Sequence, residues 1–185
     1  MANTANVTAG KPAIGGAVSV APTTATLPTD ATTSLSGFAN LGYVSDEGVT
    51  HSITRDSEDI KAWGGDTVLT LQTSFAETFQ MKLIEAMNTD VMKVVFGDDN
   101  VSGALATGIT TIVNSKELPA HAWVIDMIWN GALKRIVIPN GKITEIGEVN
   151  YADNDAVGYD ITITALPDTS GNCSYEYTKD SGASL

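Results

Sequence analysis

The sequence is poor in the residues on which most enzyme chemistry depends. It has one cysteine, Cys173, and two histidines, His51 and His121, among 185 residues. A single cysteine excludes an internal disulfide, so a reducing cytoplasm suits the chain. The sequence contains no G-x-S-x-G turn, zinc-type Cys/His pairing or phosphate-binding loop. We therefore expect no catalytic site, no bound metal and no cofactor, and we interpret both histidines as structural.

Basic charge is also scarce. The chain has 10 Lys and Arg against 22 Asp and Glu, which gives a formal net charge of −12. Affinity for nucleic acid comes mainly from Lys and Arg that neutralise phosphates, so a DNA-binding surface is not expected. An acidic protein can still lie beside DNA without binding it. The simpler alternative is that the acidic surface aids solubility.

Long apolar runs are missing as well. No run is long enough to span a membrane, and the start, MANTANVTAGKP, lacks the basic and apolar regions of a signal peptide. One stretch resembles the start of a calcium loop, with Asp98, Asn100 and Ser102 at ligand spacing. Its twelfth position is Ile109 rather than the bidentate Glu that such a loop requires, so calcium is not expected here.

The most informative stretch is residues 121–149, HAWVIDMIWNGALKRIVIPNGKITEIGEV. Asn130-Gly131 is the strongest short hairpin signal and predicts a two-residue turn. That turn places Asp126 directly opposite Arg135, and this pairing of opposite charges supports the register. Both faces of the hairpin are apolar. It therefore needs cover on both sides, from a helix or second sheet of the same chain or from another subunit.

Alternation of apolar and polar residues predicts further strands at residues 67–73, 77–86 and 157–166. The last of these has an apolar face and a polar face that should meet water. Residues 88–97 instead predict a short helix, capped by Asn88 or Thr89 and ended by Gly97.

Turn residues predict three interruptions of the strand pattern. Residues 38–54 are predicted as strand, turn and strand, with the turn at residues 46–48. Residues 55–66 are predicted as a charged loop, and residues 139–141 as a turn.

These elements predict a mainly β fold, an antiparallel sandwich or barrel of roughly seven to nine strands with one short flanking α-helix. We expect an N-terminal arm with assembly contacts at residues 1–36, a β-sandwich domain at 37–166 and a C-terminal arm at 167–185. Because residues 1–36 are poor in large apolar side chains, they should bury little by themselves and either stay disordered or order on a partner.

One face of the hairpin carries two tryptophans and predicts either a core or a subunit interface. A sugar-binding platform that also uses Trp63 is the alternative. The candidate interface residues are Trp123, Ile125, Met127, Trp129, Ile136 and Ile138.

Four stretches carry a family resemblance. They are LGYVSDEGVT at residues 41–50, IKAWGGDTV at 60–68, ETFQMKLIEAMNTDVMKVVFG at 77–97 and RIVIPNGKITEIGEV at 135–149. In these stretches, and in their order, the chain resembles the major tail tube proteins of long-tailed bacteriophages. None of the four is a catalytic motif, so the resemblance implies a structural role rather than an enzyme.

The resemblance implies a β-sandwich with a flanking helix, hexameric rings joined into one β-barrel around a lumen, and rings stacked through arms and a long loop. Such a tube conducts the genome. The implied partners are other copies of the chain and the tape-measure, tail-tip or baseplate and tail-terminator proteins. Double-stranded DNA would pass without specific binding, and no small-molecule substrate is implied. The implied location is the virion tail, after synthesis in the host cytoplasm.

In that role an acidic lumen would repel phosphate and leave a low-friction passage. Alternation gives the lumen-facing candidates, which are Glu145, Glu148, Asp160, Thr162 and Thr164. Two other functions fit the pattern: a ring protein of a related injection or secretion machine, and a monomeric β-sandwich binding module.

Overall fold

The structure is a computed structural model that describes residues 2–180, and within them it confirms a mainly β, antiparallel fold with one α-helix. Short 3-10 helices lie at Thr4–Asn6 and Asp98–Asn100. The helix and strands are β1 Gly10–Pro12, β2 Val18–Pro22, β3 Ala39–Asn40, β4 Val44–Lys61, β5 Thr67–Leu83, α1 Thr89–Phe96, β6 Val101–Ala104, β7 Gly108–Thr111, β8 His121–Trp129, β9 Ala132–Ile146, β10 Tyr159–Ala165 and β11 Tyr175–Asp180.

The β8–β9 hairpin has the predicted register. Trp129 lies opposite Ala132 and Asp126 lies opposite Arg135. Asn130 and Gly131 both have positive φ, at 45° and 88°, as a two-residue hairpin turn requires. The Asn-Gly signal was therefore sufficient to fix the pairing of these two strands.

The hairpin is the centre of the main sheet, whose order is β3-β2-β8-β9-β10-β5-β4. The outer edge of β8 pairs with β2 and then with β1, and the outer edge of β9 pairs with β10 and then with β11. Each central strand is thus bordered by two short strands in series. A separate small hairpin is formed by β6 and β7.

The core lies on one face of this sheet, which bends so that its two halves and α1 enclose the same apolar cluster. Asn88 caps the helix by accepting from the backbone N–H of Asp90, and Gly97 ends it, as predicted. The buried face of the helix consists of Val91, Val94 and Val95. The largest fully buried side chains are Trp123, Phe79, Leu41, Leu83, Ile125, Ile138, Ile161, Ile163, Val18, Val91, Val95 and Val124.

The second face of the β8–β9 hairpin is covered by the N-terminal segment of the same chain. Arg135 lies on this face, where it binds Asp126 through two hydrogen bonds and donates to the backbone carbonyls of Asp30 and Thr33. Val124, which shares the face, is fully buried. The doubly apolar hairpin therefore obtains its cover on this side without a second subunit.

The expectation that residues 1–36 bury little by themselves needs correction. Val18 and Val20 of β2 are buried in the core, and Pro28 and Ala31 are buried in the segment that covers Arg135. Pairing of β2 with the long apolar strand β8 gives these small residues a place to pack. That residues 1–36 also make assembly contacts remains a prediction.

Two predicted turns are bulges inside longer strands. Residues 46–48 form an irregularity within β4, where Val44 and Val49 pair with Leu83 and Met81 of one strand, β5. Residues 139–140 form a bulge within β9, since His121 pairs with Gly141 but Trp123 pairs with Ile138. Bulges tolerate the proline and the extra residues that a regular ladder rejects.

The predicted charged loop at residues 55–66 is also wrong. Residues 55–61 belong to β4, and only residues 62–66 form the turn to β5. Ile60 is the only apolar residue in RDSEDIK, so this stretch has no alternation of apolar and polar residues that would predict a strand.

Candidate assembly and channel surfaces

A continuous polar surface covers the side of β4, β5, β10 and β9 that faces away from the core. Directly opposite residues in antiparallel strands share a face, so the pairing defines its members. Thr162 lies opposite Glu145, Thr164 lies opposite Thr78, and Gln80 lies opposite Thr50. The polar face, as we call it, consists of Thr50, Ser52, Thr78, Gln80, Lys82, Lys142, Thr144, Glu145, Asp160, Thr162 and Thr164.

The side chains of the polar face bind one another across the strands. Gln80 donates to both carboxylate oxygens of Asp160 at 3.3 Å, and the hydroxyl oxygens of Thr144 and Thr164 are 2.9 Å apart. These contacts hold hydroxyl and amide groups side by side. The exposed surface is therefore polar and carries no large apolar side chain.

The structure brings four of the five lumen-facing candidates together on the polar face. These are Glu145, Asp160, Thr162 and Thr164. The fifth, Glu148, is exposed but lies beyond the end of β9 at Ile146, so strand alternation does not fix its direction. The role of all five in a lumen remains a proposal.

The two lysines of the polar face are each bound by a carboxylate from a loop. Lys82 Nζ lies 3.3 Å from Asp155 Oδ2, and Lys142 binds the carboxylate of Glu117. The hydrogen bond from Lys142 lowers the pKa of Glu117 below its usual value, and the one from Lys82 does the same for the pKa of Asp155. Both carboxylates are therefore held in their charged form.

The second surface is a long two-stranded ribbon that leaves the sheet, which we call the arm (residues 53–76). The β5 residues that pair with β10 end at Thr78, so most of the rest of β5 pairs with β4 alone. Trp63 at its tip is fully exposed. The other large apolar side chains of the arm are 38–61% exposed, and they are Ile53, Ile60, Val68, Leu69, Leu71 and Phe75.

The outer half of the arm is amphipathic. Ile60 lies opposite Leu69, which places two apolar side chains on one face. Asp59 lies opposite Thr70, whose hydroxyl donates to it at 2.7 Å on the other face. One side of a ribbon with no covering layer is therefore apolar, which is the pattern of a surface that packs on something else.

A buried polar cluster fastens the C-terminal strand to the base of the arm. Glu77 is 5% exposed and accepts hydrogen bonds from Ser174 at 2.6 Å and from His51 Nε2 at 2.8 Å. Glu176 of β11 binds Lys134 at 2.5 Å and lies 3.7 Å from His51 Nδ1. These contacts connect four separate stretches of the sequence, around residues 51, 77, 134 and 174–176.

The candidate interface residues divide into two groups. Trp123, Ile125, Ile136 and Ile138 are buried in the core of their own chain, so they have no surface to offer a second subunit and the interface prediction is wrong for them. The reason is that β5, β10 and α1 cover this face. Met127 and Trp129, nearer the turn, are partly exposed, and an interface role for them remains a proposal.

The remaining candidates for chemistry have structural surroundings. Burial lowers the pKa of His121, and the pKa of the Cys173 thiol is raised by burial and by the nearby carboxylate of Glu77. Asn100 of the calcium-like stretch is buried and bonded to Phe96 and Asn114. Residues 2–180 contain no group of three or more His, Cys, Asp or Glu arranged to hold a metal ion.

No helix of the described residues is both long and apolar enough to cross a membrane.

No curated protein sequence matches the chain significantly. A family model described as phage tail tube protein matches residues 1–183, nearly the whole sequence. By that match the chain belongs to the phage tail tube protein family.

Proposed function

We propose that copies of this chain join into hexameric rings, that the rings stack into a tube, and that the polar face lines the channel through which the genome is delivered. Family membership makes the protein a structural component of the virion tail. The arm is the observation that supports assembly from copies of the chain.

The arm supports assembly because its own contacts leave its apolar side chains uncovered. An isolated two-stranded ribbon is at best marginally stable in water, and this one keeps apolar side chains exposed along its length. A tube is built from repeated copies of one chain, so the surface that covers the arm would be supplied by a neighbouring copy. Leu69 is 49% exposed, so burying the rest of it there would contribute about half of the roughly 1.5–3 kcal/mol of full burial.

The polar face supports the channel. A wall of basic residues would hold DNA, because each phosphate contact releases counterions. A wall of hydroxyls and uncompensated carboxylates, such as Thr162, Thr164, Glu145 and Asp160, offers no such contact. DNA would then pass without specific binding.

A monomeric sugar-binding module receives less support. That function requires a platform of exposed tryptophans, whereas Trp123 is fully buried and Trp63 lies at the tip of the arm. The proposed partners are the tape-measure, tail-tip or baseplate and tail-terminator proteins of the same virion, and the proposed site of synthesis is the host cytoplasm.

Substitution of one apolar arm residue tests the assembly. We expect concentrated purified protein to form tubes or six-fold rings in negative-stain electron micrographs, and Leu69→Asp to prevent them while the monomer stays folded by circular dichroism. A charge placed opposite Ile60 would have to be buried against the neighbouring copy, which is costly.

Ser57→Asp is the matched control, because it adds the same charge to the arm outside the pair that joins Ile60 to Leu69. It should form tubes like the original protein. Tubes of normal length from Leu69→Asp would contradict the role of the arm. Isolated particles from the original protein, even after purified tail-tip complexes are added, would contradict the tube itself.

A further inference from the structure

We infer that Glu117 and Asp155 are fixed countercharges that mask the two lysines of the polar face, so that neither lysine holds a DNA phosphate during genome passage. This inference rests on the proposed function, because it assumes that the polar face lines the channel. It assigns a role to two loop residues that lie outside the sheet.

The positions of the lysines create the need for masking. Lys82 lies opposite Asp160 and Lys142 lies opposite Thr164, so one lysine stem rises from each end of the polar face along β10. An ammonium group in a channel wall would bind passing phosphates. Because every copy of the chain repeats the same two lysines, the retarding contacts would recur along the whole tube.

In each pair the carboxylate is more exposed than the lysine that it binds. The side chains of Lys82 and Lys142 are 26% and 27% exposed, whereas Asp155 and Glu117 are 55% and 81% exposed. A phosphate that approaches either pair therefore meets the carboxylate first. With both lysines compensated, Asp160 and Glu145 give the polar face its net negative charge.

Stability alone is a weak reason for these two pairs. Ion pairs with such exposed carboxylates contribute little net stability, and both acids come from loops that could be polar without being charged. The two acids also come from loops far apart in sequence, at residues 112–120 and 147–158, yet each ends on a lysine of the same face. Masking of the face explains both contacts together.

The test is genome entry by virions that carry Glu117→Gln together with Asp155→Asn. Adsorption is measured separately, and phage DNA inside the host cells is quantified over time. We expect normal tubes in electron micrographs and several-fold slower DNA entry, because each exposed lysine adds a phosphate contact. Adding Lys82→Gln and Lys142→Gln to the same chain should restore the original rate.

Glu47→Gln together with Asp99→Asn is the control, because it removes the same two charges from exposed positions outside both the polar face and the arm. It should leave the rate of entry unchanged. Entry by the Glu117→Gln, Asp155→Asn virions at the control rate would overturn the masking role. A slow rate that the lysine substitutions fail to restore would overturn it too.

A third variant separates this inference from the proposed function. Glu145→Lys together with Asp160→Lys places positive charge on the polar face without using the loops. If that variant slows entry and the masking variant does not, only the masking inference fails. If neither variant slows entry, the polar face does not line the channel and the proposed function fails as well.

Discussion

Arg135 shows how a single residue can decide which surfaces of this protein are free. Its guanidinium group is 7% exposed, and a buried charge is tolerated only when its donors are satisfied. Asp126 supplies the charge, and the carbonyls of Asp30 and Thr33 accept further hydrogen bonds. The N-terminal segment is thereby held against the hairpin, and the polar face on the other strands is left uncovered.

Asp30 should make this cover sensitive to acid. Its carboxylate accepts hydrogen bonds from the hydroxyls and backbone N–H groups of Thr33 and Thr32, which hold the pKa of Asp30 well below its usual range. A lowered pKa in the folded state adds stability above the pKa of the unfolded chain, and that stability is lost as the pH falls toward the folded value. We expect Asp30→Ala to lower Tm most at neutral pH.

Thermal unfolding from neutral pH to about pH 3 at constant ionic strength measures this effect. The difference in Tm between the original protein and Asp30→Ala should shrink below about pH 4, the usual pKa of an aspartate. Asp99→Ala, at another exposed acid, is the control. A difference that stays constant across the range would show that the ionised carboxylate is not the stabilising group.

At the residue scale some positions are predictable and others are not. Asn130-Gly131 fixes its turn locally, because both residues must adopt positive φ. Gly141 has no local signal, since its requirement comes from Trp123, whose ring would lie 2.5 Å from an added Cβ atom. The partners of Lys82 and Lys142 are equally hidden, because loop residues from elsewhere in the chain supply them.

At the scale of elements, β2 has more importance than its composition suggests. It pairs with β8 along five residues and buries Val18 and Val20 in the core. Complete burial of two valines contributes of order 3–6 kcal/mol. That amount is comparable with the entire stability of many domains.

Deletion of residues 1–36 should therefore disrupt the fold as well as assembly. The truncated chain would lose β1, β2 and the cover over Arg135. We expect it to be unfolded or aggregated by circular dichroism and size-exclusion chromatography. Deletion of residues 1–9, which precede β1, should leave the cooperative unfolding transition in place. A folded, monomeric 37–185 fragment would contradict the importance of β2.

The difference between the arm and the predicted loop has a physical cause. Alternation of apolar and polar residues predicted β10, the inner part of β5 and the outer part of β5 at residues 67–73 correctly. The arm packs on nothing within the chain, so residues 55–61 had no need of a strong apolar face. Their strand conformation is visible only once β5 is available as a partner.

At the scale of the whole molecule, the sheet has two sides with different tasks. The core side is closed by α1 and by the bend of the sheet, while the other side is divided between the N-terminal cover and the polar face. The mainly β class followed from alternation and turn residues. The division of the outer side did not, because it depends on contacts such as Arg135–Asp30 between distant parts of the chain.

Reversal of charge on the polar face tests this division of tasks. Glu145→Lys together with Asp160→Lys should leave tube assembly intact, because neither side chain belongs to the core or to the arm. Genome entry should slow, since the new ammonium groups would bind phosphates, and the effect should weaken as the ionic strength of the medium rises.

Asp99→Lys, in the 3-10 helix after α1, is the control for added positive charge. Electron micrographs of tails and quantification of DNA entry together give the result. Loss of tubes in Glu145→Lys, Asp160→Lys would place these residues at a contact between subunits instead. Unchanged DNA entry with normal tubes would show that the polar face does not line the channel.

The order of strands in the sheet also sets the order of events during synthesis. The partner of β2 is β8, which leaves the ribosome about a hundred residues later, and contacts so distant in sequence form slowly. Residues 10–40, which include β1, β2 and β3, must therefore wait until β8 has been synthesised and can pair with β1 and β2. The cover over Arg135, whose carbonyl groups come from Asp30 and Thr33, can therefore be completed only after the hairpin has been synthesised, although its residues are translated first.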